Sequence, residues 1–213
     1  MPAAAQSRTE PFPRRSRRKL QTRERIIGAA GVLFRQVGYE DATMAAIAEA
    51  ADIHVTTLFT HFKSKRDLGG AIAERSLERL RGAIEANRGH VRFFDFMRAA
   101  VTSATGEYQR DAEFNLSIGR QFGADPEVTA RWMDYERRQI ELLAGYIAHD
   151  FGLDRTGDYR PMLVANMIVG GKILVHERWV KSDGQSDLLG ENLAMIEAVE
   201  GLVKNGLSET GGG

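Results

Sequence analysis

The sequence predicts an all-α fold: an N-terminal three-helix bundle that carries a helix-turn-helix, then a larger C-terminal helical domain. Three observations predict it. Apolar residues recur at helical spacing, and the period-two alternation of strands is absent. Helix punctuation stands where that spacing starts and stops: Gly38, Thr43, Ser64, Asp125-Pro126 and Ser186-Asp187. Two very short helices, each of about eight residues, are joined by about three residues after Thr43, the layout of a helix-turn-helix.

Residues 1–19, with three prolines, small residues and the cations Arg14, Arg15, Arg17, Arg18 and Lys19, read as a flexible basic arm. The first helix is expected from Thr22 to Val37, because Ile26, Ala30, Leu33 and Val37 form a stripe that Ile27 and Phe34 widen. Gly38 then offers a left-handed cap. Thr43 caps a second helix with Met44, Ile47, Ala48 and Ala51 on its inner face, and Asp52-Ile53 makes a tight corner. The third helix, HVTTLFTHF, turns Leu58 and Phe62 inward. At 100° per residue Thr56, Phe59 and Thr60 then face outward, with Val55 and Thr57 on the flanks. Ser64 caps a fourth helix running from Lys65 towards Asn87. Further helices are expected near 91–105, 111–122, 126–151, 159–181 and 187–204. The domain limits that follow are 20–68 for the helix-turn-helix unit, 69–207 for the second domain and 208–213 for a disordered tail.

A short helix whose outer face is hydroxyls and methyls suits insertion rather than core formation. Thr hydroxyls donate or accept at base edges, and Val or Thr methyls pack on thymine methyls. His61, Lys63, Lys65 and Arg66 follow at the helix end, where phosphates flank a docked reader. The charge distribution agrees: residues 1–68 hold 12 Lys/Arg against 7 Asp/Glu, whereas residues 69–213 hold 17 against 22.

Other classes fit poorly. The chain of 213 residues is 43% apolar and 27% charged, as soluble globular proteins are, and it has no cysteine for disulfides or thiolate metal sites. No segment reaches the roughly 20 apolar residues of a membrane span, and the basic N-terminus lacks a signal-peptide core. Cytoplasmic residence is expected. Five histidines show no metal spacing, and no nucleophile elbow or phosphate-binding glycine loop is present, so neither a cofactor nor an enzyme is expected.

Residues 22–68 resemble the DNA-binding domain of the tetracycline-repressor-like (TetR) family. The resemblance rests on a first helix ending Phe34-x-x-x-Gly38-Tyr39, then Thr43-Met44-x-x-Ile47-Ala48-x-x-Ala51, then Thr57-Leu58-Phe59-x-His61-Phe62-Lys63-Ser64-Lys65-x-x-Leu68. It implies base reading by Val55, Thr56 and Thr60, and phosphate contacts from Thr43, Thr57, His61 and Lys65. Phe59 stands where the family usually has a phosphate-binding tyrosine, and His54 where Ser or Thr commonly caps the reading helix. The resemblance further implies a transcription regulator, most simply a repressor, switched by a small and largely apolar effector. The rival is a dimeric sensor or scaffold without specific DNA binding.

In the second domain, helix 159–181 is apolar nearly all round between Met162 and Val175, so it must be covered on every side. Together with the last helix it is expected to build a four-helix homodimer interface through Val164, Ile168, Gly171, Val175, Leu189, Leu193, Ile196 and Val203. A palindromic operator follows from such a two-fold. Effector-pocket candidates are Phe94, Met97, Phe114, Ile118, Phe122, Trp132, Met133, Tyr135, Leu143 and His176, with Arg120 able to meet an anionic group.

Overall fold

The computed structural model describes residues 13–110, 112–113, 115–116, 126–154 and 156–208. Every regular element among them is an α-helix: α1 (Pro13–Val37), α2 (Met44–Ala50), α3 (Val55–His61), α4 (Lys65–Asn87), α5 (Phe93–Arg110), α6 (Pro126–Phe151), α7 (Arg160–Lys181) and α8 (Leu188–Ser208). The helix expected over 111–122, the Asp125 cap and the tail at 209–213 lie wholly or mostly outside the described residues. The chain divides into two compact units after Gly69, inside α4.

The first unit holds α1 to α3 and the start of α4. Helix α1 begins at Pro13, not Thr22, so residues 13–19, expected in a flexible arm, are helical. The proline explains the start. At a first helical position its missing N–H costs nothing and its φ is already helical, and the Arg, Lys, Leu and Gln that follow are good helix formers. The inward stripe consists of Ile26, Ile27, Ala30 and Phe34, all at most 5% exposed, whereas Val37 is 45% exposed. Gly38 ends α1 at φ +85°, its N–H donating to Phe34 O at 3.1 Å. Asp52, at φ +51°, makes the corner between α2 and α3. Ile26, Ile47, Leu58 and Leu68 are each fully buried. Each such side chain stabilises by about 1.5–3 kcal/mol, enough to fix two helices too short to stand alone.

In the second unit α6 packs on α7, α7 on α8, and α5 on both α6 and α8. Phe93, Phe94, Phe96 and Tyr146 form an aromatic centre, edge-to-face where Phe93 meets Phe94 and Tyr146 and tilted where Phe96 meets Tyr146, and Tyr146 Oη donates to Val91 O at 2.7 Å. Most of the residues expected at an interface on α7 and α8 contribute to the packing of one subunit. Val164, Ile168, Val175, Ile196 and Val203 are each at most 8% exposed inside a single subunit, and Leu189 and Leu193 are half-buried. Gly171 is also used internally. A Cβ there would lie 2.6 Å from Cγ and Sδ of Met195, so glycine lets α8 approach α7 within one subunit. The reason is simple: a helix apolar on every side has no phase from which its inner face can be read.

Candidate nucleic-acid interface

Helix α3 and its neighbours are held by caps and by α1. Thr43 Oγ1 accepts from Ala46 N at 3.1 Å at the start of α2. His54 takes the same position for α3, but its Nδ1 lies 3.4 Å from Thr56 N, a long bond for an N-cap. Arg25 of α1 reaches across to donate to Ala51 O at 2.5 Å and Asp52 O at 2.8 Å, satisfying carbonyls at the end of α2. Arg23 lies over the Phe62 ring at 4.4 Å. Ser64 Oγ accepts from Asp67 N at 3.1 Å and Asp67 Oδ2 accepts from Lys63 N at 3.1 Å, a reciprocal cap that starts α4.

Leu58 and Phe62 are buried, Thr56, Phe59 and Thr60 are exposed, and Val55 and Thr57 lie between. This is the helical phase expected from the sequence. What periodicity does not show is that both outward hydroxyls are tied back. Thr60 Oγ1 donates to Thr57 O at 2.7 Å, and Thr56 Oγ1 lies 2.9 Å from His54 Nδ1. With its hydrogen committed to Thr57 O, the Thr60 hydroxyl keeps only acceptor capacity for any further partner. Phe59 presents a 48%-exposed ring with no hydroxyl to offer a phosphate.

The cations divide into two groups. Arg17, Arg18 and Lys19 are exposed on α1; Arg14 and Arg15 lie in its first turn, their side chains outside the described residues. Arg23, Arg25 and Lys65 also have internal partners. Lys65 Nζ donates to Glu40 O at 2.8 Å and sits over the Tyr39 ring at 4.7 Å. Sequence reasoning missed Arg25 because a cation in a basic run looks like any other. His61, half-buried, has its pKa lowered by desolvation and then by the charges of Lys19 and Arg23. It is therefore a neutral ring at pH 7.

In the second unit the described effector candidates stand in different settings. Phe94, Met97 and Leu143 are core residues at most 4% exposed, while Trp132 and Met133 are exposed on α6. Trp132 stacks obliquely on Tyr135 at 5.7 Å, and Tyr135 Oη donates to Ser76 Oγ at 3.2 Å. His176 Nε2 hydrogen-bonds Tyr108 Oη. Phe114, Ile118, Arg120 and Phe122 lie outside the described residues. A cleft of about 280 Å³ does open between α4 and α6, bordered by Leu77, Arg81, Ile84, Arg138 and Leu142 among others, none of them a candidate. No His/Cys/Asp/Glu group among the described residues could hold a metal ion, and no described helix is long and apolar enough to cross a membrane.

Two family profiles match the chain: that of the bacterial regulatory proteins of the tetR family over residues 26–72, and that of the MftR C-terminal domain over residues 92–201, just over half the sequence. The HTH-type transcriptional regulator TcmR of Streptomyces glaucescens is 27% identical over 195 residues, 88% of this chain and 85% of that protein. The HTH-type transcriptional activator FasR of Mycolicibacterium smegmatis is 26% identical over 205 residues, 95% of this chain and 87% of that protein. Among solved structures, Thermus thermophilus FadR, a TetR-family transcriptional repressor in complex with lauroyl-CoA, superimposes with a TM-score of 0.61. It is 21% identical, and the match covers 83% of this chain and 92% of that one, a likeness of fold. The outward face of α3, its capped and braced setting and these matches lead to one conclusion: the chain belongs to the tetR family of bacterial regulatory proteins, and is a DNA-binding transcription regulator.

Proposed function

We propose that the chain is a homodimeric repressor that reads a palindromic operator with α3 and is switched by a small, largely apolar effector. The observation that carries the reading role is the division of α3: Leu58 and Phe62 are locked in the core, and Val55, Thr56 and Thr60 form a small, shallow face turned out. Because the Thr60 hydroxyl is spent as a donor on Thr57 O, it reads as an acceptor, favouring an adenine N6 or cytosine N4 donor. Thr43, Thr57, His61 and Lys65 surround that face as phosphate ligands. Of these, Lys65 has donors to spare after its bond to Glu40 O. Arg14, Arg15, Arg17, Arg18 and Lys19 extend the basic surface along α1. Reading genomic DNA places the protein in the cytoplasm.

The dimer reading moves to a face the sequence did not single out. Leu163 (60% exposed), Met167 (38%) and Leu174 (60%) lie along one side of α7, with Gly170 between them, and Leu202 (63%) is exposed on α8. A Cβ at Gly170 would meet nothing within 4 Å in its own subunit. An apolar stripe with a glycine gap at its centre fits a second copy of the same two helices. FadR is a repressor and FasR an activator, so the sign of regulation is a separate matter from the fold.

The test is salt-titrated fluorescence anisotropy on DNA from upstream of the protein's own gene, beside a scrambled duplex. The expected result is tight binding to the native duplex alone, weakening steeply with salt. Thr60→Val, which keeps the shape and removes the acceptor, should change base preference without changing the salt slope. Absence of binding to native, scrambled and random-pool DNA at low salt would refute the reading and leave a dimeric sensor.

A further inference from the structure

The start of α3 carries a contact on which the polarity of its base readers depends. His54 precedes the helix, Thr56 is its second residue, and both are exposed. His54 Nδ1 lies 3.4 Å from Thr56 N and 2.9 Å from Thr56 Oγ1. Thr57 N and Leu58 N are satisfied by the backbone, both donating to His54 O, at 2.9 and 3.2 Å. The Thr56 N–H has no helical carbonyl behind it, and Nδ1 is the acceptor it meets.

That meeting fixes where the ring carries its hydrogen. An Nδ1–H would set hydrogen against hydrogen at the Thr56 N–H and leave that amide unpaired. Nδ1 is therefore the lone-pair nitrogen and Nε2 the N–H. A lone pair 2.9 Å from the Thr56 oxygen can only accept, so the Thr56 hydroxyl is the donor. The distances decide which bond matters more. At 3.4 Å the amide bond is longer than a good cap, whereas 2.9 Å is an ordinary hydroxyl bond. His54 is thus a weak cap and a firm anchor for one hydroxyl. No helical carbonyl replaces it. Thr60 ties its hydrogen to the carbonyl three residues back, but the carbonyls three and four residues before Thr56 lie ahead of α3.

We propose that His54 is a positioning residue that sets the base preference of α3. By holding the Thr56 hydrogen it leaves Thr56, like Thr60, with acceptor capacity only, so both hydroxyls select base-edge amino groups. Those groups are adenine N6 and cytosine N4, whereas guanine N7 and O6 and thymine O4 offer no hydrogen. This role rests on the reading of DNA by α3 and names the chemistry which that face selects.

The experiment starts with selection from a random DNA pool by the wild-type full chain at about pH 8, above the ordinary imidazole range. In the selected duplex each adenine is replaced in turn by purine, which lacks the N6 amino group, and each cytosine by 2-pyrimidinone, which lacks N4. Counter-probes remove acceptors instead: 7-deazaguanine and 7-deazaadenine lack N7, and 2-aminopurine lacks guanine O6. By anisotropy, losing the right amino group should cost about three- to tenfold, the value of a hydrogen bond. One such position should fall silent, within about twofold, in Thr56→Val, which marks the base that Thr56 reads. The same position should fall silent in His54→Gly, while positions read by Thr60 should not change. Glycine is tolerated at an N-cap, so α3 should stay folded. Should it not, wild type and Thr56→Val still test the polarity. In His54→Asn, whose side-chain oxygen accepts in the same place, the sensitivity should persist. A residue that merely capped the helix would behave otherwise, since His54→Gly would weaken binding to every duplex and leave the pattern intact. The idea is overturned by that intact pattern, by a Thr56→Val variant that silences an acceptor probe instead of an amino probe, or by one that silences none. Wild type that enriches no sequence would refute DNA reading itself, whereas enrichment with the wrong pattern refutes only the role of His54.

Discussion

His61 sits at the end of α3 with Lys19 and Arg23 of α1 beside it, and both cations as well as burial hold its pKa below the ordinary 6.5. The unfolded chain therefore takes up this proton first. The stability that His61 contributes is complete above pH 6.5 and is lost as pH falls from there towards the folded-state value. A phosphate placed against the ring would oppose the two cations and favour imidazolium. DNA binding should then take up protons, and affinity should rise as pH falls below neutrality, by at most about tenfold per pH unit for each proton taken up. Anisotropy titrations at stepped pH and constant salt check this, with His61→Gln as the control that keeps a donor but cannot be charged. Superimposable pH profiles for the two proteins would remove His61 from the phosphate contacts. The same residue shows why sequence reasoning reaches only so far here. Its place in the motif was legible, but its neutrality was not, because that depends on two α1 residues about 40 positions earlier that only packing brings near.

At the scale of elements, what could be read from the sequence was set by how local the determining physics is. The starts of α2 and α4 follow from Thr43 and Ser64, whose hydroxyls take backbone N–H groups three residues on, and both stand as expected. The end of α1 follows from Gly38 at positive φ. The start of α1 did not follow, since a basic run after Pro13 suits a solvated arm as well as a helix. The rotation of α7 was illegible, because apolar residues surround it and only the neighbouring helices decide which side is inside. Its two central glycines now separate the alternatives. Gly171→Ala drives a methyl into Met195, so the helix-propensity gain of about 1 kcal/mol should be outweighed by about 1–3 kcal/mol of overpacking. Gly170→Ala meets nothing in its own subunit and should stabilise an isolated subunit by up to about 1 kcal/mol. If a second copy lies there, the same substitution should weaken the dimer. Denaturant melts at several protein concentrations read both effects, and equal, concentration-independent shifts for the two variants would contradict this assignment.

For the whole molecule the question is how two units with opposite charge balances act as one regulator. Residues 1–68 carry the positive excess and 69–213 the negative, so the reading end is drawn to DNA while the remainder is not. A single α3 of seven residues offers few base contacts, and affinity has to come from two such heads held together. The exposed α7 stripe is where the holding is expected, and it separates cleanly from the residues that hold one subunit's core. Leu163→Glu/Leu174→Glu alters two side chains that are each 60% exposed, so each subunit should remain folded. The charges would be buried against like charges in a two-fold interface, and sedimentation should report a monomer. DNA affinity should fall by about 10²–10⁴-fold through loss of the second head alone. Ile168→Ala, one residue from Met167 but fully buried, should behave in the opposite way. It should cost the subunit about 2–5 kcal/mol in a melt while leaving the folded fraction dimeric and competent for DNA. A Leu163→Glu/Leu174→Glu protein that stays dimeric and binds DNA at full strength would show that the second copy docks elsewhere. The exposed apolar stripe would then need another partner.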